Sequence, residues 1–248
     1  MDRPPGILVE LNGKGTLGRE EALVAACAEE HRIPLMRASV KQLERTRVKV
    51  LPGYVAVGSV SFVHHALRQL GRPLPEPAPY PPVLAPLLYR RVRKLKSLRE
   101  ARHLLLGGTP LFIKPAASWK RFTGFVPASV DDPRFNGASD MAPVWVSEVV
   151  RFVSEWRAYV ADDTLLDVRF AEHGGDRSAL PDRAVIENAV QTLAGVAPAG
   201  YVIDFGVLDS GQTALVEVND GFAFGAYDGV SAEVYWKVTV RRWRQLTA

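Results

Sequence analysis

The stretch YVIDFGVLDSGQTALVEVN, Tyr201 to Asn219, constrains the fold more than any other part of the chain. Two apolar runs flank Ser210-Gly211, the pattern of a β-hairpin whose strands lie in a core. Yet those runs carry Asp204, Glu217 and Asn219. Residues i and i+2 of a strand share a face, so Glu217 and Asn219 point the same way. A turn centred between Ser210 and Gly211 sets Asp204 directly opposite Glu217, and Val202 opposite Asn219. Like charges facing across a ladder are destabilising, and two carboxylates in a partly buried site resist joint ionisation. A cation between them relieves both problems. Two carboxylates and an amide oxygen form a magnesium-type donor set, which phosphates and water complete. The same residues also read as a protonated or water-bridged polar cluster, and a one-residue slip in register would part them.

Phosphates call for positive charge, and LFIKPAASWKRFTGFV supplies it. Lys114 emerges from an apolar strand just before Pro115. Lys120 and Arg121 precede Phe122-Thr123-Gly124, a loop able to fold over a triphosphate, with Gly124 allowing close backbone approach. SEWRAYV adds Arg157 beside Glu155. A hairpin turning at Asp162-Asp163 sets Arg169 opposite Trp156, which puts Arg157 and Arg169 on opposite faces.

Upstream, GILVEL, IPLMRA and GYVAVG read as strands, and GREEALVAACAEEHR and VSFVHHALRQLG as helices. That alternation predicts a small parallel sheet flanked by helices. Seven of the 18 prolines then fall between Pro73 and Pro86, a stretch that cannot sustain a helix or a central strand. Tyr89 to His103 holds seven Lys or Arg against Glu100, and reads as a basic helix, either merely solvated or anion-binding. The expected organisation is an N-terminal α/β domain over 1–72, a proline-rich linker over 73–88, and an α+β domain over 89–248.

GKGTLG, Gly13 to Gly18, matches a dinucleotide-binding turn, but the second strand ends at Arg37 instead of an acid. Arg37 leaves a 2′-phosphate open; a glycine-rich turn touching a substrate is the favoured reading. His64 and His65 are adjacent on a helix and cannot share a face, and His31, His103 and His173 are isolated, so each histidine reads as a surface or core residue instead of a ligand. The one cysteine, Cys27, excludes an internal disulfide and reads as a buried structural residue. No apolar run is long enough to span a membrane, and the N-terminus lacks a signal-peptide pattern, so a cytoplasmic protein is expected. The net charge of +4 is mild, and no nucleic-acid-binding signature accompanies it, so nucleic acid is not the expected partner.

In order, these motifs resemble those of ATP-grasp enzymes of the RimK-like kind. A strand lysine (Lys114) comes first, then a glycine-containing loop, the hinge strand VWVSEVV, EWRAYV in place of D-x-R-x-x-V, Arg169, Asp204, and E-x-N at Glu217 and Asn219. KPAASWKRFTGFV and VEVNDGFAFGAYDG are more similar to a divergent clade. That clade includes the eukaryotic initiation-factor-2 assembly chaperone and bacterial and phage relatives. The resemblance implies an ATP-grasp fold, mixed α/β and α+β, with an N-terminal Rossmann-like pre-ATP-grasp domain. It implies ATP held by Lys114, Lys120, Gly124 and the backbone of Glu148, Val149 and Val150, and Mg2+ held by Asp204, Glu217 and Asn219. The activity implied is ligation of a carboxylate to an amine through an acyl phosphate, with Arg157 and Arg169 at the reaction centre. The clade's chaperone implies the alternative of a non-catalytic, ATP-binding assembly factor.

Overall fold

The structure, a computed structural model, describes residues 3–116 and 122–248. Its N-terminal strands β1 (Ile7–Glu10), β2 (Leu35–Ala38) and β3 (Val55–Val57) form a parallel sheet in the order β2-β1-β3, as their alternation with helices predicts. Around it lie α1 (Arg19–Glu30), α2 (Val40–Glu44) and α3 (Val60–Gln69). The short α2 was not expected; a reciprocal capping box between Ser39 and Gln42 holds it.

The basic segment is a correction. Instead of one helix over Tyr89 to His103, the chain forms strand β4 (Val92–Leu95) and then α4 (Leu98–Leu106). The Ser97 hydroxyl accepts from the amide of Glu100 at 3.2 Å and starts the helix there. The strand is used because β6 (Val144–Glu148) has an edge to satisfy on each side. It pairs with β4 on one and β5 (Leu111–Pro115) on the other, both antiparallel. The exposed Arg93 and Lys94 then lie on an outer strand, where charge discourages pairing with other chains.

A second antiparallel sheet, ordered β10-β9-β7-β8, comprises β7 (Phe152–Ala161), β8 (Thr164–Gly175), β9 (Gly200–Leu208) and β10 (Thr213–Asp220). Alternate residues of β9 feed different cores. Tyr201, Ile203 and Phe205 pack with Leu84, Leu88 and the apolar face of α5 (Arg183–Leu193). Val202 packs instead with α6 (Ala232–Thr247) and with Ile7, Leu8 and Phe62 of the N-terminal layer. The crossing of α6 over β9 depends on Gly200: a β-carbon there would lie 2.0 Å from the carbonyl oxygen of Val238. The proline-rich stretch runs beside β10, where the Pro79 carbonyl accepts from the Val218 amide at 2.9 Å. No helix among the described residues is long and apolar enough to cross a membrane.

Candidate functional site

Asp204 does face Glu217, and Asn219 faces Val202. The turn that delivers this pairing differs from the expected one. The Leu208 amide donates to Gln212 at 2.9 Å and Gly211 has φ +86°, so the loop is three residues centred on Ser210. Continued regularly, that loop would set Asp204 opposite Val216. A bulge between Leu215 and Glu217 takes up Val216 as the extra residue and restores the pair.

Arg90 grips the bulge. Its guanidinium donates from Nη1 to the Leu215 carbonyl at 2.8 Å and from Nη2 to the Val216 carbonyl at 3.0 Å. Burial lowers the Arg90 pKa, with Tyr80 and Glu217 opposing that effect. Arg90→Ala removes the donors to three carbonyls, those of Leu88, Leu215 and Val216, and each buried polar group left without a partner costs about 1–3 kcal/mol. The expected loss is therefore about 3 kcal/mol in urea unfolding. Arg90→Lys should recover little, because an ammonium cannot reproduce the planar fork.

The other hairpin corrects an expectation. Asp162 and Asp163 have φ of 48° and 57°, the left-handed pair that a two-residue turn demands. The ladder then slips between Tyr159 and Val160, so Arg169 pairs with Arg157 instead of Trp156. The two arginines share a face but not a partner. Arg169 Nε donates to Asp167 at 2.6 Å.

Arg157 meets Asp204 across β7 and β9 as a two-pronged pair, Nε to Oδ1 and Nη2 to Oδ2, both at 2.7 Å. Its Nη1 donates to the Gly225 carbonyl at 2.6 Å, and the guanidinium lies 4.2 Å from the centre of the Tyr227 ring. Both members of the pair are buried, Arg157 at 7% and Asp204 at 2% exposure. Burial disfavours the charge on Arg157, but Asp204 outweighs it, and the net shift is upward. Burial likewise pushes Asp204 up, with Arg157 pulling against it. Asn219 Nδ2 donates to Asp204 at 3.1 Å and to Glu217 at 2.9 Å. Glu217 also pairs with Lys114, whose ammonium lies 5.1 Å from the centre of the Tyr80 ring. Strands from both antiparallel sheets thus join Lys114, Arg157, Asp204, Glu217 and Asn219 in one network.

Two cavities meet at this network. The first, about 510 Å³, is lined by Lys114, Gly124, Glu148, Val149 and Val150 on one side and by Glu217 and Asn219 on the other. Gly124 is required by close approach: a β-carbon there would lie 2.4 Å from the Phe112 ring and 3.0 Å from Lys114 Cβ. The Glu148 carboxylate is taken by Arg91, through its amide at 2.8 Å and Nε at 2.7 Å. Lys120 lies outside the described residues.

The second cavity, about 420 Å³, shares Glu217 and Asn219 with the first and opens toward the N-terminal layer. Glu10, Glu20, Glu21 and Ser59 line it, none of them singled out from sequence. Glu10 accepts from the Ser59 amide at 2.6 Å, and Glu20 from the Ala226 amide at 2.9 Å. Burial, together with Glu10 and Glu20, raises the Glu21 pKa. This arrangement also accounts for GKGTLG. Asn12 Oδ1 accepts from the amides of Lys14 at 2.9 Å and Thr16 at 3.2 Å, so two of the turn's donors point inward. The first turn of α1 carries Glu20 and Glu21, which would repel a diphosphate.

The whole architecture is similar to that of several solved structures. A RimK-domain ATP-grasp protein from Sphaerobacter thermophilus DSM 20745 aligns at TM-score 0.56 and 10% identity, over 98% of this chain and all of that one. The ATP-grasp ligase PsnB, complexed with a minimal precursor, aligns at 0.54 and 11% over 97% of this chain and 100% of its own. D-alanine–D-alanine ligase from Bacillus anthracis aligns at 0.53 and 12% over 97% and 98%. At such identities the likeness establishes the fold. No match to the chain was found among curated protein sequences. The family model for the ATP-grasp domain of the R-two-K clade, family 2, matches residues 88–238, more than half of the chain. The chain belongs to that family of the ATP-grasp superfamily.

Proposed function

We propose that the protein is an ATP-dependent carboxylate–amine ligase. In this reading, a substrate carboxylate attacks the γ-phosphorus and ADP leaves; an amine then attacks the acyl carbon, expels phosphate and loses a proton. The observation that carries this reading is the meeting of two cavities at Glu217 and Asn219. A nucleotide in one and an acceptor in the other would bring their reacting ends to the same pair of oxygen-bearing side chains.

The residues present fit Mg2+ and ATP. Glu217 and Asn219 offer a carboxylate and an amide oxygen on one strand face; reversing the Asn219 amide presents oxygen instead of nitrogen. With Asn219 reversed, Asp204 still accepts the two hydrogen bonds from Arg157 and keeps acceptor capacity, since a carboxylate has about four lone-pair sites. Bound Mg2+ and ATP would supply the phosphoryl group and neutralise its charge. Lys114 would exchange Glu217 for phosphate oxygens, with the Gly124 backbone beside it; Lys120 is proposed as a further phosphate contact on its sequence alone. The backbone of Glu148 to Val150 would border the adenine. Arg157 holds Asp204 and the Gly225 carbonyl in place. Arg169 would reach an acceptor carboxylate by releasing Asp167. Glu10, Glu20 and Glu21 suit the second cavity to the amine, which arrives as an ammonium and would give one proton to a carboxylate or water there before it attacks.

The test is thermal-shift and calorimetric titration with ATP, with and without Mg2+, on wild type and on Glu217→Ala/Asn219→Ala, with NADP as control. Magnesium-dependent stabilisation lost in the double variant, followed by ADP release when acids and amines are added, is the expected result. Stabilisation that survives the double variant, or appears only with NADP, would overturn the site. A nucleotide-dependent protein complex without turnover would identify an assembly factor instead.

A further inference from the structure

We infer that the seam between α1 and α6 binds a borderline-soft divalent metal ion, zinc by its chemistry, through Cys27, His31 and Glu233. Cys27 lies in the last turn of α1 and His31, four residues on, caps the helix with its amide on the Cys27 carbonyl, so their side chains fall on one side. Glu233, in the first turn of α6, meets them from the opposing helix. The Cys27 Sγ lies 3.5 Å from Glu233 Oε1, and His31 Nε2 contacts that same oxygen. Among the described residues, one thiol, one imidazole nitrogen and one carboxylate oxygen here lie within 4.8 Å of one another. A tetrahedral site with ligand bonds of about 2.0–2.3 Å needs neighbouring donors roughly 3.3–3.8 Å apart, so small side-chain rotations would suffice.

The donor types select the metal. Sulfur and nitrogen favour zinc over magnesium, in contrast to the all-oxygen set of Asp204, Glu217 and Asn219. Cys27 is buried, whereas the side chains of His31 and Glu233 are 46% and 44% exposed. An ion would therefore enter from solvent, bind the sulfur as the thiol proton passes to water, and keep water in its fourth position. The site would also clamp two helices that line the second cavity. α1 contributes Glu20 and Glu21 to that cavity, and α6 contributes Tyr235. A metal at their seam would fix the spacing of those walls.

The experiment uses the full chain, stripped with a chelator and then titrated with cobalt(II) in excess Mg2+, so that the all-oxygen set is filled. The expected result is sulfur-to-cobalt charge-transfer absorption, saturating at one ion per chain and discharged by zinc. The chain has a single cysteine, so that band can come only from Cys27. His31→Gln, on the exposed side, should weaken binding at least ~10-fold, since even outer partners of metal ligands are worth that much. Cys27→Ser should abolish the band. Absence of the band in the folded wild-type chain, or unchanged affinity in His31→Gln, would overturn the inference. Either result would leave an ion pair beside a buried thiol.

Discussion

Replacing Arg157 with alanine is expected to cost about 3–5 kcal/mol of folding stability, because it strands a buried carboxylate without its cation. Asp204 is 2% exposed and takes both prongs of the Arg157 fork. For a chain of this length each kcal/mol moves the Tm by about 2–4 °C, so a fall of roughly 6–20 °C should be seen. The loss should depend on pH with a definite sign. Without Arg157, burial and the Glu217 charge, opposed chiefly by Lys114, raise the folded pKa of Asp204 further above the unfolded value. A carboxyl so shifted folds most favourably when neutral, so stability falls as pH rises from the ordinary carboxylate range through the raised pKa. The variant should therefore be most damaged at neutral pH and recover part of its deficit in acid. Replacing both partners with leucine should be milder than removing either, since a paired charge exchanged for packed apolar volume is often neutral. Urea unfolding of the two singles and the double, at two pH values, checks all of this. A single-variant loss below about 1 kcal/mol would show that water reaches the pair.

Lys114→Ala should act on turnover more than on folding. The side chains of Lys114 and its partner Glu217 are 16% and 23% exposed, and Glu217 also holds Asn219, so stability should fall by about 1–2 kcal/mol, less than for the buried Arg157 pair. If Lys114 transfers its charge to phosphate during the reaction, ADP release should fall by about 10²–10³-fold, the usual effect of losing one preorganised donor at a developing charge. Loss of nucleotide affinity with undiminished maximal rate would place Lys114 in ground-state binding alone.

The strands were legible because apolar runs between Asp, Gly and Ser clusters have few other outcomes. The bulges were not. Val216 looks like any other strand residue, and its role depends on Arg90, far away in the chain, reaching two carbonyls. An incorrect turn and an unseen bulge cancelled, so the Asp204–Glu217 pair came out right. In the other hairpin the extra residue had no such compensation, and Arg169 came out opposite the wrong partner. In the basic segment, the density of charge hid the four-residue strand Val92–Leu95, whose two apolar ends face opposite sides and pack against different cores. The C-terminal helix was missed because Val234, Val238, Thr239 and Val240 favour strands locally, while Ser231 capping and burial of Trp236 and Trp243 decide otherwise. The second cavity was illegible for another reason: Glu10, Glu20 and Ser59 come together only when three separate segments pack.

The bulge has a consequence for recognising kindred sequences. Because the three-residue loop fixes the ladder as far as Phe205 and Leu215, deleting Val216 would leave Asp204 and Glu217 face to face. The distance along the chain between the aspartate and the E-x-N pair can thus drift by one without changing which side chains meet. A signature written with fixed spacing would reject relatives that keep the same constellation. One that lets this interval vary by a residue, and asks for an arginine at the position of Arg90, two residues before β4, whenever the longer form occurs, follows the physics of the hairpin.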